Sequence, residues 1–313
     1  MHFFILKLII SMSVSYITNE TQFNAIFQTL IDDSKVYPTS QFHQVGLDCE
    51  FISKSNYPES FELSKQWTKN QIYEISVCIL QLASKNVCLI IDLKKFNGEL
   101  PSKLVKILQS ENWLKTGVNI STDMKYLVDN FDLGHCNGVI DISVFANLAG
   151  CKTPNLKFLS DKFENVQLKK TSSRFRDWSA PLTTDMINYC ANDGFASFLL
   201  GRRIVTNMVN SLNLDIDEKQ KNVMIKLGTE NKVESNHVGI LQEYCRKNKL
   251  DMPAYEYTTI SEQLFSCSCK VGDIEETSIA NNKKNVKQQV AELVCKKIIQ
   301  QLAELVCKNL NNS

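Results

Sequence analysis

Two runs in the first third of the chain, "EISVCILQLAS" and "NVCLIIDL", follow each other after a short polar link. Their density of β-branched and apolar residues suits the central sheet of an α/β layer. "VSYIT" at 14–18 and "QVGLDCEF" at 44–51 add two more strand-like runs. Between those two, "ETQFNAIFQTLIDD" places Phe23, Ile26, Phe27 and Leu30 at helical spacing. From about residue 101 the pattern turns helical. "PSKLVKILQSENWL" opens on Pro101, a residue suited to a helix entrance. "STDMKYLVDNF" offers Ser121 and Thr122 as N-caps, and "DISVFANLAG" ends on Gly150, a helix stop. "PNLKFLSDKF" and "TTDMINYCANDGFASFLLGRRIV" follow. Strands first and helices after predict a mixed sheet with helices packed against it.

Of the 313 residues, 43% are hydrophobic and 22% charged, enough for one large domain or two smaller ones. The net charge of +1 gives no global field, so binding to a polyanion has to come from local clusters or metal ions. The 11 cysteines are odd in number and form no Cys-x-x-Cys pair. Cys78, Cys88 and Cys190 lie in apolar or periodic segments, and Cys267 and Cys269 alternate to one face of a strand-like run. With no zinc-ligand spacing among them, they read as reduced structural thiols of a cytoplasmic or nuclear protein. The apolar start "MHFFILKLIISMSVSYI" resembles a signal sequence, but Lys7 interrupts it and it is too short for a membrane span. Residues 1–13 read as an appended extension, with Met12 a second possible initiator, and no membrane association is expected.

A polar stretch at 213–235 has few large apolar residues and reads as a linker. After it, 236–313 carries a helix, strands near 255–258, 264–271 and 274–279, and a last helix from 283: an α-β-β-β-α order. "QQVAELVCKK" at 288–297 recurs as "QQLAELVCKN" at 300–309. A shift of 12 does not restore the same helix face, so the repeat reads as a local duplication that lengthens the helix.

The chemistry starts at "VGLDCEF". Strand periodicity sets Asp48 and Glu50 side by side at the end of an apolar run. Asp123 lies near the start of a later helix. Tyr189 and Asp193 share the face of another, four residues apart. Carboxylates from three separated segments can converge only if cations neutralise them. Oxygen ligands in that number suit Mg²⁺ or Mn²⁺. Two such ions roughly 4 Å apart can clamp a phosphodiester, one activating water and the other stabilising the leaving oxygen. The Tyr189 hydroxyl is spaced to orient that water.

These residues carry a resemblance. "VGLDCEF", "TGVNISTDMKYL" with Asn119 and Asp123, and "RDWSAPLTTDMINYCANDGFAS" from Arg176 to Asp193 resemble the three motifs of the DEDD superfamily of 3′-to-5′ exonucleases, tyrosine branch. "NLKFLSDKF" is similar to that family's Leu-Lys-x-Leu helix. The resemblance covers about 14–205 and implies a ribonuclease H-like α/β fold. It implies Asp48, Glu50, Asp123 and Asp193 as ligands of two divalent cations and Tyr189 as the water-positioning residue. The chain departs from the family in the long polar segment after the first motif, where Lys65, Trp67 and Lys69 read either as substrate contacts or as part of a solvated loop.

In the last unit, Val238, Leu241 and Cys245 follow helical spacing and face a core, leaving Gln242 and Glu243 off that face. Lys283, Lys284 and Lys287 cluster at a helix start, where exposed amides and the helix dipole favour phosphate. "LQEY", "KVGD" and "KKNVK" resemble the signatures of a double-stranded RNA-binding domain. That resemblance implies shape readout of A-form RNA, with Gln242 and Glu243 in the minor groove and the lysines on phosphates. The short loop "TTISEQL" lacks the family's Gly-Pro and His, and acidic residues nearly balance basic ones across the module. A role in protein contacts therefore stays open beside RNA binding.

The combined reading has an exonuclease domain at 14–212, a linker at 213–235 and an RNA-binding module at 236–313. The expected activity is metal-dependent removal of nucleoside monophosphates from 3′ ends, with structured or duplex RNA favoured over DNA. Two other readings stand beside it. One is an RNA-binding adaptor with a non-catalytic scaffold, the other a DNA exonuclease of the Werner type.

Overall fold

The computed structural model describes residues 12–36, 42–53, 75–149, 151, 154–164, 166, 168, 177–213, 236–261 and 264–311, with side chains described to 205 and 302 in the two long helices. By contacts the chain divides into two units, residues 1–142 with 155–203, and residues 143–154 with 204–313.

The first unit holds six strands: β1 (Ser13–Ile17), β2 (His43–Ser53), β3 (Ile75–Ala83), β4 (Val87–Asp92), β5 (Trp113–Gly117) and β6 (Val139–Asp141). They form one sheet in the order β1-β4-β3-β2-β5-β6. β3 runs antiparallel to both neighbours, and the other pairings are parallel. Helices α1 (Glu20–Ser34), α2 (Ser102–Gln109), α3 (Ile120–Phe131), α5 (Leu156–Leu159) and the first part of α6 (Thr184–Asn213), to Arg203, are interleaved with the strands or follow them, while α4 (Ile142–Leu148) belongs to the second unit from Ser143 on. This is a ribonuclease H-like mixed α/β fold.

The sheet has an apolar core on each face. Val45, Leu47 and Cys49 of β2 pack with Phe23 and Leu30 of α1 and Leu127 of α3. Strand alternation sends Gly46, Asp48 and Glu50 to the opposite face. There Ile79, Ala83, Cys88 and Ile90 meet Met186, Cys190, Phe195 and Phe198 of α6. Gly46 is required at that contact, because a Cβ there would stand 2.2 Å from the Gly194 carbonyl oxygen. Its absence lets the α6 backbone lie directly on β2, which fixes the height of the helix above Asp48.

Three local expectations are corrected. The run "PSKLVKILQSENWL" is helical only to Gln109, and Trp113 and Leu114 begin β5. Neither β5 nor β6 shows a strand pattern of its own. They exist because β5 pairs with the already buried β2, and β6 with β5. Lys115 on β5 is fully buried, and its Nζ donates to the carbonyls of Ile107 (3.0 Å) and Ser110 (2.9 Å), closing the end of α2. Thirdly, the cap position of α3 is Asn119, with a left-handed φ of 63°, and not Ser121 or Thr122. The Asp141 carboxylate accepts from the Asn119 N–H at 2.9 Å and the Ser121 hydroxyl at 2.9 Å, so a residue distant in sequence satisfies the helix start.

In the second unit, α7 (His237–Lys247), β7 (Ala254–Ser261), β8 (Leu264–Val271), β9 (Ile274–Ala280) and α8 (Lys283–Asn311) follow the expected order. The three strands form an antiparallel sheet, β7-β8-β9. Leu241 and Cys245 of α7, Cys267 and Cys269 of β8, and Val286, Val290 and Val294 of α8 build its core. Of the segment read as a linker, Asn213 is the last residue of α6, and residues 214–235 lie outside the described residues, as do Gly150 and the stretch with Lys65, Trp67 and Lys69.

Candidate active site

The acidic residues reach one place by three routes. β2 contributes Asp48 and Glu50, two residues apart on the face that α6 covers. The β2–β3 register shifts directly after Glu50, so the ladder is regular at both carboxylates and changes only beyond them. α6 contributes Asp193, and α3 contributes Asp123 from its first turn. One carboxylate oxygen from each of Asp48, Glu50 and Asp193 lies within 4.8 Å of the others. Asp123 is buried beside this trio and outside it, and its charge adds to burial in raising the Glu50 carboxyl and the intervening Cys49 thiol.

Burial is the main force on every one of these groups, with mutual repulsion second for Asp48, Glu50 and Asp123. Together they push Asp48 up to about 8 and Asp123 up to about 9, and raise Glu50 well above its ordinary value. Asp193 rises only to about 6, because the Tyr189 hydroxyl donates a hydrogen bond to it. The Tyr189 hydroxyl is raised in turn, by burial first and then by the surrounding carboxylates. Among the described residues no lysine or arginine forms an ion pair with any of the four acids. An uncompensated group of this kind fits a hard divalent cation, which oxygen donors bind and which removes the repulsion.

The surroundings hold features the sequence reading missed. Tyr189 packs against Trp178, with ring centroids 6.2 Å apart. The Trp178 carbonyl accepts from Lys94 Nζ at 2.7 Å, and the same ammonium lies 3.3 Å from the buried Asp92 carboxylate. Gln81 of β3 stands opposite Asp48, fully buried. A single polar letter within "VCILQLA" was the available signal for it. Arg176 lies outside the described residues.

In the second unit Gln242 is half-buried and Glu243 exposed, and Glu243 pairs with Lys247 at 3.1 Å. Lys283 and Lys284 are exposed at the start of α8, behind an Asn282 cap that accepts from the Asn285 N–H at 2.7 Å. Aromatic rings of the sheet steer two of the lysines, which the sequence reading also missed. Lys287 Nζ sits 4.4 Å from the centre of the Tyr255 ring, and Lys283 Nζ 5.7 Å from that of Phe265.

Comparison with known proteins adds to this geometry. A family model described as a 3′-5′ exonuclease matches residues 14–210, and one described as a double-stranded RNA binding motif matches 237–298. The chain is 27% identical over 202 residues to "Exonuclease 3′-5′ domain-containing protein 2" of Mus musculus, covering 61% of this chain and 28% of that one. It is 26% identical over 199 residues to the Homo sapiens protein of the same name, covering 61% and 29%. The chain thus spans under a third of the length of these relatives. Among solved structures, Escherichia coli RNase D, an exoribonuclease involved in structured RNA processing, aligns with 18% identity and a TM-score of 0.49, covering 75% of this chain and 56% of that one.

Proposed function

We propose a function from one premise: the chain belongs to the 3′-5′ exonuclease family, whose model matches most of its first two-thirds. On that premise it hydrolyses phosphodiester bonds at 3′ ends and releases nucleoside monophosphates, with structured or duplex RNA preferred to DNA. The observation that carries this reading is the meeting of Asp48, Glu50 and Asp193 oxygens within 4.8 Å, beside a buried Asp123.

Asp48, Glu50, Asp123 and Asp193 would hold two divalent cations, Mg²⁺ or Mn²⁺. Such cations, when bound, supply the positive charge that offsets both the carboxylates and the scissile phosphate. The protein's own part is positional. Asp48 and Glu50 project from a strand paired with β3 at both positions and anchored to β5 just before them, at His43 to Gly46, so their spacing is stiff. Tyr189 donates a hydrogen bond from its hydroxyl to Asp193 and keeps an oxygen lone pair free to accept from an attacking water. The packed Trp178 ring restrains Tyr189 in that pose.

The double-stranded RNA binding motif supports RNA as the substrate class. Gln242 and Glu243 would read 2′-hydroxyls in the minor groove, and Lys283, Lys284 and Lys287 would contact phosphates. We assign the exonuclease domain to 14–212, the linker to 213–235 and the RNA-binding module to 236–313. The ten described cysteines are free thiols, which supports a reducing compartment, cytoplasmic or nuclear. Among the described residues no helix is long and apolar enough to cross a membrane.

The test compares matched RNA and DNA with recessed 3′ ends, with Mg²⁺ or Mn²⁺, and identifies products by chromatography. Nucleoside monophosphates should accumulate, faster from RNA, and Asp48→Asn should stop their release. Release that persists in Asp48→Asn would remove the catalytic assignment. Tight duplex-RNA binding with no shortening of any substrate would favour a binding adaptor instead.

A further inference from the structure

A carboxamide lies beside the acidic cluster with no well-aligned hydrogen bond among the described residues. Gln81 stands directly opposite Asp48 in the antiparallel ladder, so both side chains leave the sheet on the same face. Gly194, next to Asp193 on α6, passes over it, and a Cβ there would come 3.2 Å from the Gln81 Cβ. Cys190, one turn earlier on that helix, brings its thiol toward the amide. Even so, neither Nε2 nor Oε1 of Gln81 makes a well-aligned hydrogen bond among the described residues. Gln81 is fully buried, and every other residue from Val77 to Ala83 is apolar and buried.

An orphaned amide inside a sheet is costly, because it gives up its bonds to water and gains none. A leucine or methionine would fill the same space without that penalty. The position next to Asp48 suggests what the amide is kept for. A carboxylate only accepts hydrogen bonds, so of the two amide atoms only Nε2–H can serve it. Oε1 is then left for Cys190.

We infer that Gln81 is a positioning residue for Asp48: its Nε2–H donates to the Asp48 carboxylate in the cation-loaded site and fixes which oxygen faces the cation. The inference rests on the cation-site reading given under Proposed function. Carboxylates that ligate metals are themselves hydrogen-bonded in general, and loss of that outer partner weakens metal binding about 10- to 100-fold.

The experiment uses the full chain, Mn²⁺ as the probe, and the variants Gln81→Met and Gln81→Leu. The readouts are the metal-free melting temperature, the Mn²⁺ concentration giving half the maximal rise in melting temperature, and KM for a 3′-recessed RNA duplex. Both variants should melt at or above the wild-type temperature without metal. Each should need about tenfold more Mn²⁺ for the half-maximal shift, with KM for RNA unchanged. A Mn²⁺ midpoint within twofold of wild type in folded variants would overturn the inference. So would a metal-free melting temperature several degrees below wild type in both, which would make Gln81 a packing residue. Asp48→Asn separates the two levels of argument. If wild type responds to Mn²⁺ and Asp48→Asn does not, the cation site stands and the variants judge Gln81 alone. If wild type itself shows no response, the cation site and the Gln81 inference both fall.

Discussion

The acidic cluster and the lysine cluster are both charged sites, and they are built in opposite ways. Asp48, Glu50, Asp123 and Asp193 come from three distant segments, are sunk into the fold and repel one another. Lys283, Lys284 and Lys287 sit within five residues at the start of one helix, at or near the surface. The first site stores unfavourable energy that a bound cation would release. The second stores almost none, because water solvates its charges and aromatic rings only steer them. Burial turns like charge into binding power for a small hard cation, while exposure turns it into long-range, salt-sensitive attraction to a polyanion.

The sharpest way to break this contrast is to remove one buried charge. Asp48→Asn should lower exonuclease turnover by at least about a hundredfold, the scale of losing one preorganised electrostatic group. The same change should raise the metal-free melting temperature, by about 2–4 °C for each kcal/mol of repulsion relieved. A variant that loses activity and also melts lower without metal would mean the cluster is not a store of strain.

Titration gives the next largest effect. The Asp48 and Asp123 carboxyls titrate at about 8 and 9 in the fold, against about 4 when unfolded. Between pH 4 and 8 the native state therefore binds more protons than the unfolded state. Metal-free stability should fall as pH rises through that window. Lys115, lowered to about 7 by burial, acts the other way, adding stability as pH rises from about 7 towards the ordinary lysine value. Melting curves at pH 5, 6.5 and 8 should be read as wild type minus Asp48→Asn, which cancels Lys115. That difference should shrink toward pH 5, and the Mn²⁺-induced rise in wild-type melting temperature should grow with pH. A difference that does not change with pH would contradict the assigned shifts.

The surface site should respond on another scale. Lys287→Ala should weaken duplex-RNA binding several-fold and reduce the salt slope by about 1, as expected for one lost phosphate contact. Tyr255→Leu keeps the charge but removes the ring under it, and should cost about two- to fivefold, the worth of an exposed cation–π contact. Binding measured across a salt series separates the two variants. The smallest effect is expected from Lys247→Met, which frees Glu243 from an exposed ion pair. It should leave the melting temperature within about 2 °C of wild type.

Local sequence carried much of the fold. The strands around Asp48 and Leu80 were readable because apolar and β-branched density survives without tertiary context. The α-β-β-β-α order of the last unit was readable for the same reason. β5 and β6 were not, since five- and three-residue segments owe their strand form to pairing with β2 and with each other. Lys115 made β5 harder still to see, as a lysine in a buried strand contradicts any pattern of polarity. The start of α3 was misplaced because its partner, Asp141, lies about 20 residues downstream.

By itself the sequence determined which residue types were available and at what local spacing. Asp48 and Glu50 share a face because strand periodicity is two, and Tyr189 and Asp193 share one because helix periodicity is near four. Tertiary structure alone decided how those faces meet. Gly46 lets the α6 backbone descend onto β2 and brings Asp193 within 4.8 Å of the other two acids. It also decided that Gln81 lies buried beside Asp48 and that Lys287 lies over Tyr255. Local periodicity is a property of the backbone, which every sequence carries. Desolvation, orphaned polar groups and cross-element contacts depend on what else fills the surrounding volume, and only the packed chain specifies that.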